Sequence, residues 1–474
     1  MKISKNPARK SLPSNRLVQA IVPLALAISM TPFQGRAASS DDAALKEVLK
    51  RLDAQAEEIK ALKANIGSGS GASVSTSINA TPEEKTQWEQ KLQKQEAEIK
   101  DLKEQMSDIS TANTKPKYPS ISFHGFGDVD YSADSRKGNS NLPGAPGSTQ
   151  IPYGQTYYGG RNTFYLGELD LFLNAQLAEN TSFVAENVVG IGSDNHANWD
   201  IERLYLEYRH SDYFNVDLGR VHTALGYYNT TYHHGSWLQN AVGRPSFLQF
   251  EDSGGILPVH MVGISTHGKI PSGSMNLNYF VEAGNGARFT DDSTQNPVQN
   301  LISSSDSKAV NFALVSKPEW LPGLQFGGGL YYDVITPVIT GSTAVPRNTQ
   351  YIYNGHIVYH TAQWELIAEG YLINDHASGN STTHTSPAWF VQASRKMDDF
   401  TPFVRFTYYN VMKNDSLYSV AWGGGYNSGV HYGPSAGLRY DLSSFVALKA
   451  QYDYLIDTGL NDASRITLQA SFTF

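Results

Sequence analysis

From Arg465 to Phe474 every second side chain is apolar. Ile466, Leu468, Ala470, Phe472 and Phe474 alternate with Arg465, Thr467, Gln469, Ser471 and Thr473. A period of two places the two sets on opposite faces of a β-strand, and no helix can gather either set on one side. The same period recurs, with interruptions, back to Tyr118. All 27 tyrosines lie at or beyond that residue, whereas the residues before it hold one Phe and one Trp. Residues 118–474 therefore read as one β object, distinct from the chain ahead of them.

The spacing of turns gives a strand count. Short polar connections fall at Ala178-Glu179-Asn180, Ser211-Asp212, Pro271-Ser272-Gly273, Pro318 to Gly323, Thr361-Ala362-Gln363, Met397-Asp398-Asp399 and Leu442-Ser443-Ser444. Longer stretches rich in Gly, Asn, Ser and Asp separate them, such as Ser132 to Asn162, Thr223 to Pro258, Ala287 to Lys308 and Val334 to Thr349. Seven tight turns alternating with eight longer loops require sixteen strands. That leaves about 22 residues for each strand and its connection, and a tilted spanning strand needs roughly 9–11. Short turns at one end and long loops at the other are the pattern of outer-membrane barrels.

Aromatic placement agrees. Tyr331-Tyr332, Tyr351, Tyr353, Tyr359, Trp364, Trp389, Tyr408-Tyr409, Tyr440, Tyr452 and Tyr454 sit near expected strand ends, where a barrel carries its interfacial girdles. In hydrocarbon no water satisfies an edge strand's amides, so a spanning sheet must close. The expected fold is an all-β transmembrane, sixteen-stranded antiparallel barrel. An even strand count brings both its ends to one side. A soluble sandwich or propeller is the competing reading of the same alternation.

The chain ahead of Tyr118 has two parts. Residues 1–37 have the form of a signal peptide: a basic start, an apolar stretch from Leu17 to Met30, then Gly35 and Ala37 as small residues before a cleavage point. Residues 38–117 read as a periplasmic coiled-coil segment. Leu45, Val48, Leu52, Gln55, Ile59, Leu62 and Ile66 form a first heptad run over 45–66, and Trp88, Leu92, Gln95, Ile99, Leu102, Met106 and Ile109 a second over 88–109. A Gly/Ser-rich linker, 67–81, separates them. Self-association follows from such heptads, and a homotrimer suits both coiled coils and porins.

Under the strand register the inward set is polar and the bore is wide enough to hold water. The pore-lining candidates are Arg203, Glu207, Glu282, Glu365, Glu369, Arg405, Arg439, Lys449 and Arg465, beside Asp128, Asp130, Glu168, Asp170 and Asp453. Leu218-Gly219-Arg220-Val221-His222 ends the fifth strand and leads into the longest connection. In general porins the loop at that place narrows the pore. Its Tyr227, Tyr228, Tyr232, His233, His234 and Trp237 are constriction candidates, either meeting a planar or iron-bearing solute or packing on one another as a cap.

Composition and motif searches exclude other classes. The chain has 37 Lys and Arg against 45 Asp and Glu, a net charge of −8, with no basic patch for a nucleic acid. Without cysteine it has no thiolate chemistry and no disulfides. His356 and His360 have metal-ligand spacing for a helix, but on a strand they stand about 13–14 Å apart. His233-His234 reads as a polar loop pair. The Gly423-Gly424-Gly425 run precedes a strand and cradles no phosphate. No catalytic residue, cofactor or metal is expected, so the outer-membrane phospholipases and proteases are set aside as enzyme alternatives. A plugged transporter is also disfavoured, because such barrels use about 22 strands.

Residues Ile121 to Asp130 open the barrel as Ile-Ser-Phe-His-Gly-Phe-Gly-Asp-Val-Asp, Gly219-Arg220 ends a strand, and Phe474 closes the chain. With the signal peptide, the heptad segment and the unplugged barrel, these features resemble the LbtU-type siderophore porins of Gram-negative bacteria. Phosphate-selective and other sixteen-strand porins share several of them. The resemblance implies an outer-membrane channel, set in lipid, that passes ferric siderophore without a plug. The alternatives are a general or anion-selective porin and a non-conducting scaffold or adhesin.

Overall fold

The computed structural model describes residues 118–135, 149–151, 155–157, 162–191, 196–232, 234–251, 255–289, 298–299, 301–303, 305–338, 346–415, 417–418, 428–458 and 462–474, together with Lys94 and Lys100. The chain divides into two compact units, residues 1–116 and 117–474. In the first, Lys94 and Lys100 are helical and exposed. The signal-peptide reading, the named positions of both heptad runs, the linker, His233 and the Gly423-Gly424-Gly425 run lie outside the described residues.

The second unit contains sixteen long strands: β1 (Ser120–Asp134), β2 (Thr163–Ala178), β3 (Thr181–Ile191), β4 (Ala197–Ser211), β5 (Phe214–His222), β6 (His260–Ile270), β7 (Leu277–Asn285), β8 (Lys308–Ser316), β9 (Leu324–Ile335), β10 (Asn348–His360), β11 (Trp364–Ala377), β12 (Thr383–Arg395), β13 (Phe400–Val411), β14 (Gly429–Asp441), β15 (Val446–Asp457) and β16 (Ala463–Thr473). Each pairs with its neighbours in sequence, and β1 pairs with β16, so the sheet is a closed barrel without an edge. At the seam the register runs from Phe126 opposite Thr473 to Asp134 opposite Arg465. The N–H of Gly125 donates to the Phe474 carbonyl at 3.0 Å, and the N–H of Phe474 returns the bond at 3.0 Å. Closure satisfies every strand's amides within the sheet, the condition for crossing hydrocarbon.

The tight turns stand where the sequence places them, all at the end of the barrel that carries Phe474. The opposite end carries the long connections, among them 135–162, 223–259 and 286–307. Short hairpins project from two of these, Thr149–Ile151 with Gln155–Tyr157 and Arg288–Phe289 with Val298–Gln299. Strands β1, β9 and β10 run past the expected loop limits, to Asp134, Ile335 and from Asn348. Those three residues are buried, so interior packing supports the ladder beyond the apolar belt.

The outer face is apolar. Leu330, Ile357, Leu372, Val404, Leu448 and Leu468 are exposed on it, a belt far larger than a water-soluble monomer displays. Aromatic side chains flank it, Trp320, Trp364, Phe400 and Phe445 towards the tight turns and Trp199, Tyr351, Trp389 and Tyr432 towards the loops. The fold is that of a transmembrane β-barrel of the outer-membrane type. Tyr331 and Tyr409 correct the girdle reading, because both are buried inside the barrel. Adjacent strand residues point to opposite faces, so of each Tyr-Tyr pair only Tyr332 and Tyr408 take the outer side.

Candidate functional site

Strand β5 ends at His222 and β6 begins at His260, its cross-strand partner. Between them residues 223–259 turn into the barrel. The N–H of Thr223 donates to the Val259 carbonyl at 2.8 Å, and the Asn229 amide donates to the carbonyls of Thr223 (2.8 Å) and Val259 (3.0 Å). These bonds pinch the two stems together. A four-residue helix, Tyr228–Thr231, and two 3-10 turns, Ser236–Leu238 and Ser246–Leu248, give the loop its path. Gly226 has φ +80°, and a Cβ there would run into Glu369 and the Tyr371 hydroxyl of β11. Only glycine permits that approach.

Arg244 ties the loop to itself. Its guanidinium donates to the carbonyl of Leu248 (2.6 Å), the carbonyl of Tyr232 and the side-chain oxygen of Asn229 (3.3 Å). It also lies over the Phe250 ring at 4.4 Å. One planar fork thus joins three loop segments, a geometry an ammonium cannot reproduce.

One side of the loop is apolar. Leu225, Phe247, Leu248 and Leu257 are buried against inward side chains of β9 to β13, including Ile352, Ile367, Ile373 and Phe390. This corrects the expectation of a polar bore: the wall beneath the loop is hydrophobic, and together they form a dry core. Full burial of Phe247 or Leu248 is worth about 1.5–3 kcal/mol each.

The polar side of the loop engages most of the pore-lining candidates. Glu282 accepts the N–H of Ala224 at 2.9 Å, and Glu369 accepts those of Tyr227 (3.1 Å) and Tyr228 (2.9 Å). Glu365 accepts the Tyr232 hydroxyl at 2.6 Å and the Asn240 amide at 3.2 Å. Arg405 donates to the Gly243 carbonyl at 2.6 Å, Arg439 to that of Trp237 at 2.5 Å, and Lys449 to that of Ser236. Their strands, β7, β11 and β13 to β15, lie on widely separated sectors of the wall, so the loop is anchored across the bore. The other three candidates pair along the wall. Arg203 meets Glu186 at 2.5 Å, Glu207 accepts from Ser182 (2.9 Å) and Arg209 (2.8 Å), and Arg465 meets Asp134 at 3.2 Å.

The aromatic candidates on the loop are largely internal. Tyr227, Tyr228, Tyr232 and His234 are buried, Tyr228 to 1% exposure, and Trp237 is half-buried beneath the Arg439 guanidinium. Their rings pack on the wall and on one another, so among the described residues the cap reading fits them better than direct solute contact.

A chain of alternating carboxylates and imidazoles fastens the remaining side. His234 Nδ1 is 2.8 Å from Glu168 and its Nε2 is 3.0 Å from Glu202. His260 Nε2 is 2.7 Å from Glu202 and its Nδ1 is 2.8 Å from Glu251. The Phe250 ring stacks on both imidazoles, at 4.0 Å from His234 and 5.7 Å from His260. For His234 burial opposes the charge, but Glu168 and Glu202 outweigh it and hold the imidazole well above its ordinary pKa. Burial likewise raises Glu251, and His260 with its hydrogen bonds more than reverses this, leaving the carboxyl below its usual range.

The alternation pattern misses Glu202. Strand β4 has a bulge here: Arg203 faces Glu186 and Ile201 faces Asn187, with Glu202 extra between them. Both Glu202 and Arg203 therefore turn inward. Two consecutive charges in a strand, Glu202-Arg203, are the only signal in the sequence.

No family model matches the chain, and no curated protein matches it in sequence. Solved structures similar to it include the outer membrane channel DcaP of Acinetobacter baumannii, 10% identical over 75% of this chain and 97% of that one, with a TM-score of 0.49. Another is OprB of Pseudomonas putida at high pH, 9% identical over 78% and 96%, with a TM-score of 0.48. A third is OmpF of Salmonella typhi in complex with daunomycin, 9% identical over 75% and 98%, with a TM-score of 0.47.

Proposed function

We propose that this protein is an outer-membrane channel of a Gram-negative bacterium that passes small solutes, with residues 223–259 setting its cross-section. The observation that carries this reading is the loop's anchoring across the bore, from Glu282 on β7 to Lys449 on β15. A sixteen-strand barrel is wide enough for an aqueous passage, and an inward loop divides that width without closing the sheet. Partly exposed polar groups on the inner wall, such as Asp217 and His267, supply a wetted surface beside the dry core. By the usual arrangement of such barrels, the tight turns face the periplasm and the long loops face outward. The heptad segment ahead of Tyr118 would then be periplasmic and supports a homotrimer.

The solute class rests on the resemblance to siderophore porins, which favours a ferric chelate. An anion-selective porin gains less support, because Arg405, Arg439 and Lys449 are engaged with loop carbonyls. Single-channel recording on the full protein in planar bilayers tests the channel reading: discrete conductance steps support it, and a bilayer that stays silent while the barrel is folded favours the scaffold. Chelate uptake in a deletion strain tests the solute: wild-type uptake without the protein removes the iron assignment.

A further inference from the structure

Three side chains at the root of the inward loop point to a function beyond anchoring. His222 and His260 face each other across β5 and β6, their rings 4.7 Å apart at 72°. The β4 bulge turns Glu202 towards them. One nitrogen from each ring and one Glu202 oxygen lie within 4.8 Å of one another.

The outer contacts of these groups orient them. His222 Nδ1 lies 3.2 Å from the carbonyl of Asn229, and His260 Nδ1 lies 2.8 Å from the Glu251 carboxylate. An imidazole whose Nδ1–H is held by an acceptor offers its Nε2 lone pair, and that pairing with carboxylate or carbonyl is the common support of metal-binding histidines. Glu202 is held in a similar way: Oε1 faces His234, leaving Oε2 for the cluster. Glu202 Oε2 and His260 Nε2 are buried and pair at 2.7 Å. A metal ion entering there would take the place of the proton that joins carboxylate and imidazole.

We propose that Glu202, His222 and His260 bind one divalent transition-metal ion at the root of the loop. Two imidazoles and one carboxylate suit zinc and its first-row neighbours, not calcium or magnesium. Each imidazole coordinates through a deprotonated Nε2, so any proton there leaves for solvent as the ion enters. The ion would join β4, β5 and β6 where both loop stems meet, fixing the loop's angle of entry. This site is independent of the channel reading, since binding is measured without any current.

The test uses the full-length protein in detergent, stripped by a chelator and titrated with Co²⁺ alone, whose visible absorption reports nitrogen and oxygen ligation. The expected result is one Co²⁺ per chain. His222→Ala and Glu202→Gln should each weaken binding at least about tenfold, as loss of a ligand or its support does, and His210→Ala, an exposed site, should leave it unchanged. Heat-modifiable migration on gels shows separately that each variant is folded. Should a variant not fold, anomalous scattering from Co²⁺-soaked wild-type crystals decides the matter by a peak at these three side chains. The proposal is overturned if wild type retains no stoichiometric Co²⁺, if folded variants bind as wild type does, or if the anomalous peak lies elsewhere.

Discussion

Glu369, inward on β11, accepts the backbone N–H of Tyr228 at 2.9 Å and so fixes the start of the loop's helix to the far wall. The same oxygen takes the N–H of Tyr227, and the Tyr371 hydroxyl donates to the other. Replacing it by alanine strands two buried backbone donors, since the Tyr371 hydroxyl keeps the Leu225 carbonyl at 3.2 Å, and each stranded donor costs about 1–3 kcal/mol. That loss falls on loop docking, because the ladder of β11 is untouched. Glu369→Ala is expected to raise single-channel conductance and to expose the loop to protease while the barrel stays folded. Glu369→Gln keeps an acceptor and should show a smaller change. Unaltered conductance in both would mean the loop does not set the cross-section.

Arg244 acts within the loop. Its three acceptors belong to separate segments of the loop, and each charge-assisted bond is worth about 1.5–3 kcal/mol. Arg244→Lys retains the charge and loses the fork. Noisy, flickering current with normal heat-modifiable migration is the expected result, and hydrogen exchange should rise across residues 228–250. Equal exchange in variant and wild type would show that wall contacts alone order the loop.

Strand number, closure and turn positions were legible because they follow from a period of two, and Leu468 or Trp389 can satisfy that period only by facing lipid. The inward charges were legible for the same reason: Glu365, Glu369, Arg405 and Lys449 occupy the polar register of their strands. Their partners were not. Nothing local tells Lys449 that it will meet the carbonyl of Ser236, which comes from a loop more than two hundred residues earlier. The dry core was hidden too, because Ile367 and Phe390 break the polar register only where Phe247 and Leu248 arrive to cover them. Glu202 was hidden by its bulge, which reverses the alternation for one residue. His222 and His260 become neighbours only through the register of β5 on β6.

Leu468 lies in the apolar belt, between Ala450 on β15 and Tyr131 on β1. A cation on the lipid face of a barrel costs about 2–4 kcal/mol near the midplane and little near the headgroups. Leu468→Arg is expected to lower the urea midpoint for refolding into vesicles by a matching amount. Gln469→Arg, one residue on and inward, removes a buried amide that bonds Lys449 and Asp130, each at 3.0 Å, so any cost there comes from like charge beside Lys449 and not from lipid. A belt substitution without effect would contradict the lipid-facing assignment of this surface.

Asp415, in the connection after β13, offers a pH-dependent contact away from the inward loop. It is buried, accepts the N–H of Leu417 at 2.9 Å and packs against Asp375, with His384 nearby. Burial raises its pKa above the ordinary carboxylate value, although hydrogen bonds from Asp375 and Leu417 and the His384 charge pull the other way. An acid whose folded pKa is raised binds its proton more tightly when docked than when released. Its contribution is therefore complete below the ordinary carboxylate pKa and is lost as pH climbs through the raised value. Residues 412–418 should be cleaved or exchanged more readily as pH increases over that interval. Asp415→Asn, neutral at every pH and still able to accept from Leu417, should flatten the profile at its low-pH level. A profile that keeps its slope in Asp415→Asn would assign the titration to another group.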